Sequence, residues 1–344
     1  MTKWYESPNV DNGVVISSRI RLARNLRKYP FPGILANDAE AARLVAGEIT
    51  GAVINGKTPM GKDFREIILD GSDPAYELSL LERHCVSPEF IKKGGKKTLL
   101  LDRGETVSIM INEEDHARIQ TIFPGDNFND GFFVAEKIDD LIESGVEYAF
   151  DRDYGYLTAC PTNTGTGLRA SYMLNLPALE TTGQLGGMLG AIGKFGMVVR
   201  GIYGEGSGSL GSIYQISNQM TMGKSENEII AALKSVTAKI IEQENGVREK
   251  LFADKNGVLE DRVCRAYGIL KHARRLNQKE AAACLSDIRI GFISCALKEK
   301  KPAKTIYNIM MDMQPGSLQL KAGRPLTEPE LDFARAEAAR EAMS

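Results

Sequence analysis

Five arginines are the residues whose type and placement first suggest chemistry in this sequence. Arg19 and Arg21 follow the strand-like run VVIS, Arg118 follows the VSIMIN segment, Arg169 lies in a glycine-rich stretch, and Arg200 follows MVV. Guanidinium groups are planar and permanently charged, so five of them suit a polyanion such as a magnesium-bound triphosphate. With 43 Lys and Arg against 45 Asp and Glu, however, surface ion pairing is the default explanation for any single one.

The composition excludes several classes of function. The 344 residues are 43% hydrophobic, enough for a large core, and the length indicates one big catalytic domain with a smaller partner domain. A net charge of −2 lacks the broad basic field that sequence-independent nucleic-acid binding requires. The N-terminus has no apolar signal core and no window reaches a membrane span, so we expect a cytoplasmic protein that binds neither nucleic acid nor membrane.

The five cysteines are scattered along the chain without close pairs, at Cys85, Cys160, Cys264, Cys284 and Cys295. This spacing favours reduced thiols over a disulfide framework, and it disfavours a zinc site. We therefore expect no metal held by protein side chains.

Two glycine motifs resemble nucleotide-binding signatures but lie in the wrong context. GAVINGKT at 51–58 satisfies the P-loop pattern, yet the preceding DAEAARLVAGEITGAVI is predicted to be helical, and Pro59 interrupts the helix that a P-loop must open. Asn55-Gly56 is more simply a helix C-cap. The GxGxxG spacing of Gly206, Gly208 and Gly211 precedes a strand-like run instead of a helix, so it is a weak dinucleotide signature.

The elements that must position the arginines are short strands between helices. The candidate strands are VVISSRI, FREIILD, TLLLD, VSIMIN, YLTAC, MVVRGI and SIYQIS. Because the segments between them are too irregular for a steady βαβ repeat, we predict an α+β domain with a mainly antiparallel sheet flanked by helices.

Helical patterns dominate after Gly223. Capping boxes at Ser225/Glu228 and Thr327/Glu330 start two helices. The predicted helices after the first are 258–276, 278–286, 304–313 and 328–342, the last of which begins at the Thr327/Glu330 box, with turns at Asn256-Gly257 and QPGS. The predicted domains are an N-terminal tail at 1–13, a catalytic domain at 14–246 and an all-α domain at 247–344.

Separated motifs resemble the phosphagen (guanidino) kinase family, and most closely the bacterial protein-arginine kinases of the McsB type. These motifs are SSRIRLARNLRKYPFP at 17–32, LLERHCVSP at 80–88, IMINEEDHARIQ at 109–120, YLTACPTNTGTGLRASYMLNLP at 156–177 and RGIYGEGSGSLGSIYQISNQ at 200–219. They span most of residues 14–220, in the order of the family.

The resemblance implies an ATP site that includes all five arginines. The matched positions are Ser17, Ser18, Arg19, Ile20, Arg21, His84, Arg118, Arg169, Ala170, Ser171, Tyr172, Met173, Arg200, Gly201, Ile202, Tyr203 and Gly204. On sequence alone His84 is most simply a structural imidazole, and only the matched motif favours a role in binding. Mg²⁺ is expected to arrive on ATP.

The resemblance also assigns the catalytic residues. A guanidinium has a pKa above about 12 and becomes a nucleophile only after losing a proton, so a base is required. Glu114 and Glu205 match the two carboxylates that fork onto the guanidinium, with Glu113 and Asp115 as second choices. Cys160 matches the family's reactive cysteine, and a buried inert thiol is its alternative.

A protein substrate is expected from the arrangement of the chain. The helical domain that precedes the SSR motif in kinases of small guanidino compounds finds no room before residue 17, whereas about a hundred helical residues follow the catalytic core. In the last helix, LDFARA at 331–336 resembles the family's phosphoarginine-binding pattern. Asp332 and Arg335 match it, but Leu331 stands where the first arginine is expected. A plain amphipathic helix is the alternative.

The sequence thus predicts ATP-dependent phosphorylation of arginine side chains in proteins, which the family uses to mark proteins for degradation under stress. The expected partners are protein substrates, an activator or adaptor, a protease chaperone and a second copy of the chain in a homodimer. Three alternatives stay open: a kinase of free arginine, a catalytically silent adaptor of the same fold, and a P-loop NTPase.

Overall fold

The computed structural model describes residues 2–35, 38–54, 60–92, 97–201, 209–254 and 256–344, and is built around one large sheet. The strands are β1 (Val15–Arg24), β2 (Phe64–Leu69), β3 (Lys97–Asp102), β4 (Val107–Ile111), β5 (Ala117–Pro124), β6 (Phe150–Asp151), β7 (Gly155–Tyr156), β8 (Leu168–Asn175), β9 (Met197–Gly201) and β10 (Ile213–Asn218). Eight of them form a sheet in the order β2-β3-β4-β5-β1-β8-β10-β9. Every neighbouring pair is antiparallel, which confirms the predicted fold class.

Helices cover one face of the sheet, pack on parts of the other, and form the C-terminal region. They are α1 (Pro32–Leu35), α2 (Ala39–Ile54), α3 (Pro74–Glu82), α4 (Pro88–Lys92), α5 (Phe128–Glu143), α6 (Pro177–Thr181), α7 (Leu185–Gly193), α8 (Glu226–Ala253), α9 (Val258–His272), α10 (Gln278–Ile293), α11 (Ile306–Asp312), α12 (Pro315–Ala322) and α13 (Glu328–Ala342). The apolar sides of α2, α5 and α8 pack with β1, β4, β5, β8 and β10 in the main core.

A second core joins both ends of the chain. The helices α9, α10, α11 and α13 pack around Trp4, Tyr5 and Val10, which lie in two short 3-10 helices. The segment predicted as an N-terminal tail is therefore packed structure in which these three side chains are buried. The predicted domain boundary at 247 falls inside the continuous helix α8.

Strand β1 shows how the sheet separates its two faces. Successive side chains of a strand point to opposite faces. Ile20 and Leu22 accordingly enter the main core, fully or almost fully buried, while Arg19 and Arg21 point the other way. The opposite face carries the arginines, and we call it the polar face. Parts of it are apolar, because Leu99, Leu101 and Met110 pack with Leu80 and Phe90 in a third core. Its other apolar side chains, Ile16, Ile122, Met173 and Ile213, belong to the second core.

Six of the seven predicted strands are present, and YLTAC is not one. Only Tyr156 of that segment belongs to a strand, the two-residue β7. Backbone pairing ends at Leu157, whose amide donates to the Ala149 carbonyl at 2.8 Å, and the Ala159 amide donates to the side chain of Asp115 at 2.7 Å. Two strands of the sheet, β5 and β8, were missed.

Both predicted capping boxes are present, at Ser225/Glu228 and Thr327/Glu330. The prediction of a turn at QPGS was wrong, since Gln314 is the N-cap and Pro315 the first residue of α12.

The segment before the P-loop-like motif is helix α2 as predicted, whereas Asn55-Gly56 lies outside the described residues. Within the described part of the chain, no helix has the length and apolar character to cross a membrane.

Candidate active site

The polar face of the sheet carries all five predicted arginines in one cleft of about 630 Å³. They come from four strands: Arg19 and Arg21 from β1, Arg118 from β5, Arg169 from β8 and Arg200 from β9. The strand register sets their spacing. Arg21 lies opposite Arg169, and Arg118 lies opposite Ala23, two residues further along β1. We call this set the arginine face.

The arginine face concentrates positive charge where water is scarce. Burial, together with the neighbouring Arg19, holds the pKa of Arg21 well below its ordinary value. Burial and the nearby Arg169 lower the pKa of Arg19 to about 10. The Nε atom of Arg21 is buried and has no hydrogen-bond partner within the described residues. Both pKa values are lowered, as expected of cations that repel one another. An anion in the cleft would reduce this repulsion.

Neutral side chains of neighbouring strands orient the arginines without cancelling their charge. Arg19 Nη2 donates to Gln215 Oε1 at 2.5 Å, and its Nε lies 3.4 Å from Ser171 Oγ. Arg169 Nη2 lies 3.4 Å from Ser217 Oγ. Amide and hydroxyl partners fix the direction of a guanidinium but leave the field of the cluster available to a ligand.

Two carboxylates border the arginine face at the turn between β4 and β5. Asn112 takes a left-handed conformation there, with φ of 58°, which an asparagine tolerates. Arg118 Nη1 lies 2.8 Å from the buried Glu113, and Nη2 lies 2.7 Å from Glu114 Oε2. The Glu114 side chain is 41% exposed, so of the two it is the carboxylate that an incoming substrate can reach.

Glu113 and Asp115, the second choices for the base, have structural partners. Ser87 Oγ donates to Glu113 at 2.5 Å. Asp115 is fully buried and accepts from Asn25 Nδ2 and the Ala159 amide, both at 2.7 Å. Burial raises the pKa of Asp115 and also separates its carboxylate from solvent and substrate. Glu114 remains the better candidate.

The loop that carries Cys160 reaches the same cleft. Cys160 Sγ lies 3.0 Å from Thr162 Oγ1, and Asn163 Nδ2 lies 3.3 Å from Glu114 Oε2. Cys160 and Glu114 therefore both line the cleft beside Arg118. The other predicted carboxylate, Glu205, lies outside the described residues, as do Ile202, Tyr203 and Gly204.

His84 lines the cleft from the loop after α3, with a left-handed backbone φ of 62°. Burial, reinforced by Arg19, lowers the pKa of its imidazole to about 3, so the ring is neutral. Its Nε2 atom lies 3.1 Å from the hydroxyl of Tyr307 in α11.

Four positions assigned to ATP by the motifs face the helices instead of the cleft, as strand alternation requires. Ile20 and Ala170 are fully buried in the main core. Ser18 Oγ accepts from the Asn127 amide at 3.0 Å, and the Tyr172 hydroxyl donates to Asp126 at 2.5 Å. Their side chains are not brought together with the arginines, so only their backbones could contribute to a nucleotide site.

The remaining assigned positions share the polar face of the sheet. Gly201 lines the cleft, and Ser171 supports Arg19. Ser17 and Met173 are buried and do not line the cleft, and Met173 belongs to the second core.

Several cleft residues were not found from the sequence. Gln215 and Gln120 lie on the arginine face, in phase with the arginines along their strands. Gln120 Nε2 donates to the His84 carbonyl at 2.7 Å. The period of two in SIYQIS was a signal that could have identified Gln215, because it places Gln and Ser on one face. Asn163 and Ser87 had no such signal.

Asp332 and Arg335 lie far along the chain in α13. Arg335 is 2% exposed, and its guanidinium donates to the carbonyls of Met313 and Leu276 at 3.1 and 2.8 Å and to Asp332 at 3.1 Å. Asp332 also lies 3.4 Å from Arg275. These bonds fasten α13 to the segment just before α10 and to the end of α11. The role of the pair as a phosphoarginine receptor stays a prediction.

Comparisons with known proteins agree with this geometry. The family model "ATP:guanido phosphotransferase, C-terminal catalytic domain" matches residues 47–247, and "Protein-arginine kinase McsB C-terminal domain" matches residues 256–344. The chain is 43% identical to the protein-arginine kinase of Brevibacillus brevis, covering 99% of this chain and 95% of that protein. It is 44% identical to the protein-arginine kinase of Bacillus licheniformis, covering 100% and 93%.

Solved structures of guanidino kinases share the fold. A lombricine kinase superimposes with a TM-score of 0.59 at 25% identity, covering 72% of this chain and 70% of that one. The duplicated taurocyamine kinase of Schistosoma mansoni, solved with components of a transition-state analogue, gives a TM-score of 0.61 at 21% identity over 78% of this chain and 40% of that one.

Proposed function

This chain belongs to the ATP:guanido phosphotransferase family and, by similarity over its whole length, to the protein-arginine kinases; from that premise we propose how its residues carry out the reaction. The function is ATP-dependent phosphorylation of arginine side chains in proteins. The observation that carries the proposed site is the meeting of the arginine face with Glu114 and Cys160 in one cleft.

The arginine face holds the triphosphate. Phosphoryl transfer depends mostly on positioning and on neutralising charge at the separating γ-phosphoryl group, and guanidinium groups supply both. Arg19 and Arg21 come from the centre of the sheet, where the backbone is rigid, so the phosphates meet a preorganised surface. The lowered arginine pKa values mark the charge that the phosphates would neutralise.

Glu114 orients the substrate guanidinium and takes its proton. The attacking nitrogen forms a bond to the γ-phosphorus while the bond from that phosphorus to the bridging oxygen of ADP breaks, and the proton of the nitrogen passes to the Glu114 carboxylate. Asn163 positions Glu114 at 3.3 Å. The second carboxylate, Glu205, is proposed from its motif alone.

Arg118 links the two halves of the site. It holds Glu113 and Glu114 at 2.8 and 2.7 Å in the described conformation. When phosphate engages Arg118, its bond to Glu114 weakens and that carboxylate becomes available to the substrate. Cys160 completes the guanidinium pocket, and its thiol or thiolate tunes the local charge.

Mg²⁺ would be carried by the nucleotide. The described residues contain no group of three or more His, Cys, Asp or Glu side chains arranged to hold a metal ion, and Glu113 is already paired with Arg118. Phosphate oxygens are the ligands that Mg²⁺ prefers in kinase sites, and the ion would supply neutralising charge there.

The test of the proposed base is Glu114→Gln, compared with Glu205→Gln and with a control. Loss of a general base lowers turnover about 10²- to 10⁴-fold, whereas ATP affinity should change little because the phosphates contact the arginines. Steady-state kinetics on an arginine-containing protein, with ATP affinity from calorimetry, measures both. Glu147→Gln breaks a comparable but fully exposed pair with Arg27 and should leave both values unchanged. Near-native turnover in Glu114→Gln would show that another group is the base.

Two alternative functions are distinguished by simple assays. A kinase of free arginine would phosphorylate the amino acid as fast as a protein. A silent adaptor would bind proteins without consuming ATP, yet the meeting of all five arginines with Glu114 in one cleft favours a working site.

Phosphoarginine binding by Asp332 and Arg335 is a separate proposal that rests on the match of the motif. A ligand there would have to replace the bonds that Arg335 makes to the Leu276 and Met313 carbonyls. Calorimetric titration with phosphoarginine, with Asp332→Asn as the control, tests it. Heat that disappears in the variant supports a receptor, and no heat supports a purely structural role.

The cellular setting is proposed from the resemblance. We place the protein in the cytoplasm, where its five scattered cysteines would stay reduced. A homodimer, an activator or adaptor, a protease chaperone and a role in marking proteins for degradation under stress complete this proposal. Sedimentation and recovery of bound proteins from stressed cells would test these partners.

A further inference from the structure

Tyr307 connects the C-terminal helices to the cleft. It lies in α11, more than 200 residues from His84, and is 1% exposed. Its hydroxyl lies 3.1 Å from His84 Nε2 and 3.3 Å from Met173 Sδ. One side chain of the helical region thus contacts two residues that the sequence assigned to the ATP site.

The neutral imidazole of His84 has two forms, and only one suits an anion. With a proton on Nδ1 and a lone pair on Nε2, the ring donates from Nδ1 and accepts at Nε2; the other form reverses these roles. Nε2 is occupied by Tyr307, and Nδ1 has no partner in the described part of the chain. Nδ1 is therefore the nitrogen left for a ligand in the cleft that His84 lines.

The hydroxyl of Tyr307 decides between the two forms. It carries one proton, and Met173 Sδ and His84 Nε2 both lie within hydrogen-bond distance of the hydroxyl oxygen. A thioether is a weak acceptor and an imidazole nitrogen a good one, so the proton goes to Nε2. Nδ1 then carries the ring proton and is a hydrogen-bond donor.

Packing keeps the tyrosine in place. The ring of Trp4 lies 5.5 Å from that of Tyr307 and 6.2 Å from that of His84. On the other side, Gln120 fixes the His84 carbonyl, and the left-handed backbone of His84 restricts its direction. The imidazole is held from three sides.

We propose that Tyr307 is a positioning residue of the nucleotide site, which holds His84 in the form that donates a hydrogen bond from Nδ1 to a phosphate group of ATP. This rests on the proposed ATP site. It makes the C-terminal helical region part of that site, so a change in the packing of α11 alters ATP affinity.

The protonated nitrogen is measured directly by ¹⁵N NMR of the imidazoles without ATP, so this readout is independent of the proposed reaction. The chain has three histidines, and His116 provides an internal standard. The Leu26 amide donates to its Nδ1 at 2.9 Å, so its proton lies on Nε2, which lies 3.0 Å from the Pro30 carbonyl. We expect His84 to show the opposite form, and Tyr307→Phe to turn this into a mixture while His116 keeps its signal.

Kinetics provides the second readout. Tyr307→Phe should weaken ATP binding roughly 3- to 10-fold, the effect of one hydrogen bond, with turnover at saturating ATP within about 2-fold. In a His84→Ala background the same change should have no further effect on ATP affinity. The control Tyr148→Phe removes another buried hydroxyl, which donates to Asp139 at 2.9 Å, and should alter neither ATP affinity nor the His84 signal.

The proposal is overturned if His84 carries its proton on Nε2 in the unaltered protein. It is also overturned if Tyr307→Phe leaves ATP affinity unchanged, or weakens it equally without His84.

Discussion

The clustered arginine side chains of the cleft lower the stability of the unliganded folded protein. Arg21 and Arg19 are partly buried beside other arginines, and both have lowered pKa values because of desolvation and the neighbouring positive charges. Such clustering of like charge is costly in an empty site and favourable once an anion is bound. The cluster is therefore better explained by a ligand than by folding.

Replacing Arg21 by Gln should separate these two effects. The unliganded protein should become more stable, because one buried cation is removed from the cluster, while ATP binding should weaken about 10-fold or more through the loss of a charge-assisted bond. Thermal unfolding with and without ATP measures both. Arg27→Gln, which alters an exposed arginine paired with Glu147, should change neither. A less stable Arg21→Gln protein with an unchanged response to ATP would refute this view of the cluster.

Elements position these side chains by alternation and register. The strand-like run VVISSRI predicted β1, and the alternation of that strand in the structure places Arg19 and Arg21 on one face. The sequence did not reveal β8. LRASYMLN comes directly after the glycine-rich stretch TGTG of the same motif, and its pairing partner β1 lies about 150 residues away. The convergence of Arg169 with Arg21 could be expected only from the resemblance, since long-range register is not encoded in local pattern.

Helices α3 and α12 contact each other, and His84 lies in the loop that follows α3. Gly316 lies where these helices meet, and a Cβ added there would fall 2.6 Å from the Ser79 amide nitrogen and 2.9 Å from Ser79 Cα. Both neighbours are backbone atoms, which cannot rotate away. The close approach of the two helices therefore requires glycine.

Gly316→Ala should destabilise the protein by about 1–3 kcal/mol, the usual effect of overpacking. The matched control is Gly47→Ala in α2, where an added Cβ meets nothing within 4 Å, and helix propensity should stabilise the protein by about 0.5–1 kcal/mol. Urea unfolding of both variants measures the difference. Equal effects of the two substitutions would contradict the close helix contact.

At the scale of the whole molecule, residues distant in sequence join the sheet to the helical region. Glu82 accepts from the Gly316 amide at 3.0 Å, and His84 bonds Tyr307. The helical pattern predicted one helix of this junction, α11, within 304–313. It did not predict α12, because QPGS was interpreted as a turn. Nor did it predict which loop these helices contact, because tertiary docking depends on surface shape over more than 200 residues of separation. The packing of Trp4 against α11 was missed for the same reason.

The junction should make stability depend on pH. Burial raises the pKa of Glu82 from 4.5 to about 7, against the opposing effects of the Gly316 and Ser317 amides, Arg83 and Arg335. The folded protein then binds the proton more tightly than the unfolded chain, so the contribution of Glu82 to stability falls as pH rises from about 4.5 to about 7. Glu82→Gln, which keeps an acceptor for Gly316, should remove that fall.

The free energy of unfolding in urea at pH 5 and pH 7.5 measures this dependence. The difference between the two proteins should change by up to roughly 3 kcal/mol across that range. Glu341→Gln, at an exposed pair with Lys321, should keep the dependence of the unaltered protein. A Glu82→Gln protein that loses stability in parallel with the unaltered one would assign the effect to other groups.

The most direct test of the central claim is the product of the reaction. The purified protein is incubated with Mg-ATP and either casein or free arginine, and acid-labile phosphate is followed by ³¹P NMR and mass spectrometry. We predict phosphoarginine on casein, its loss in Glu114→Gln, and little product from free arginine. Phosphate on free arginine alone, or on hydroxyl side chains of casein, would contradict a protein-arginine kinase.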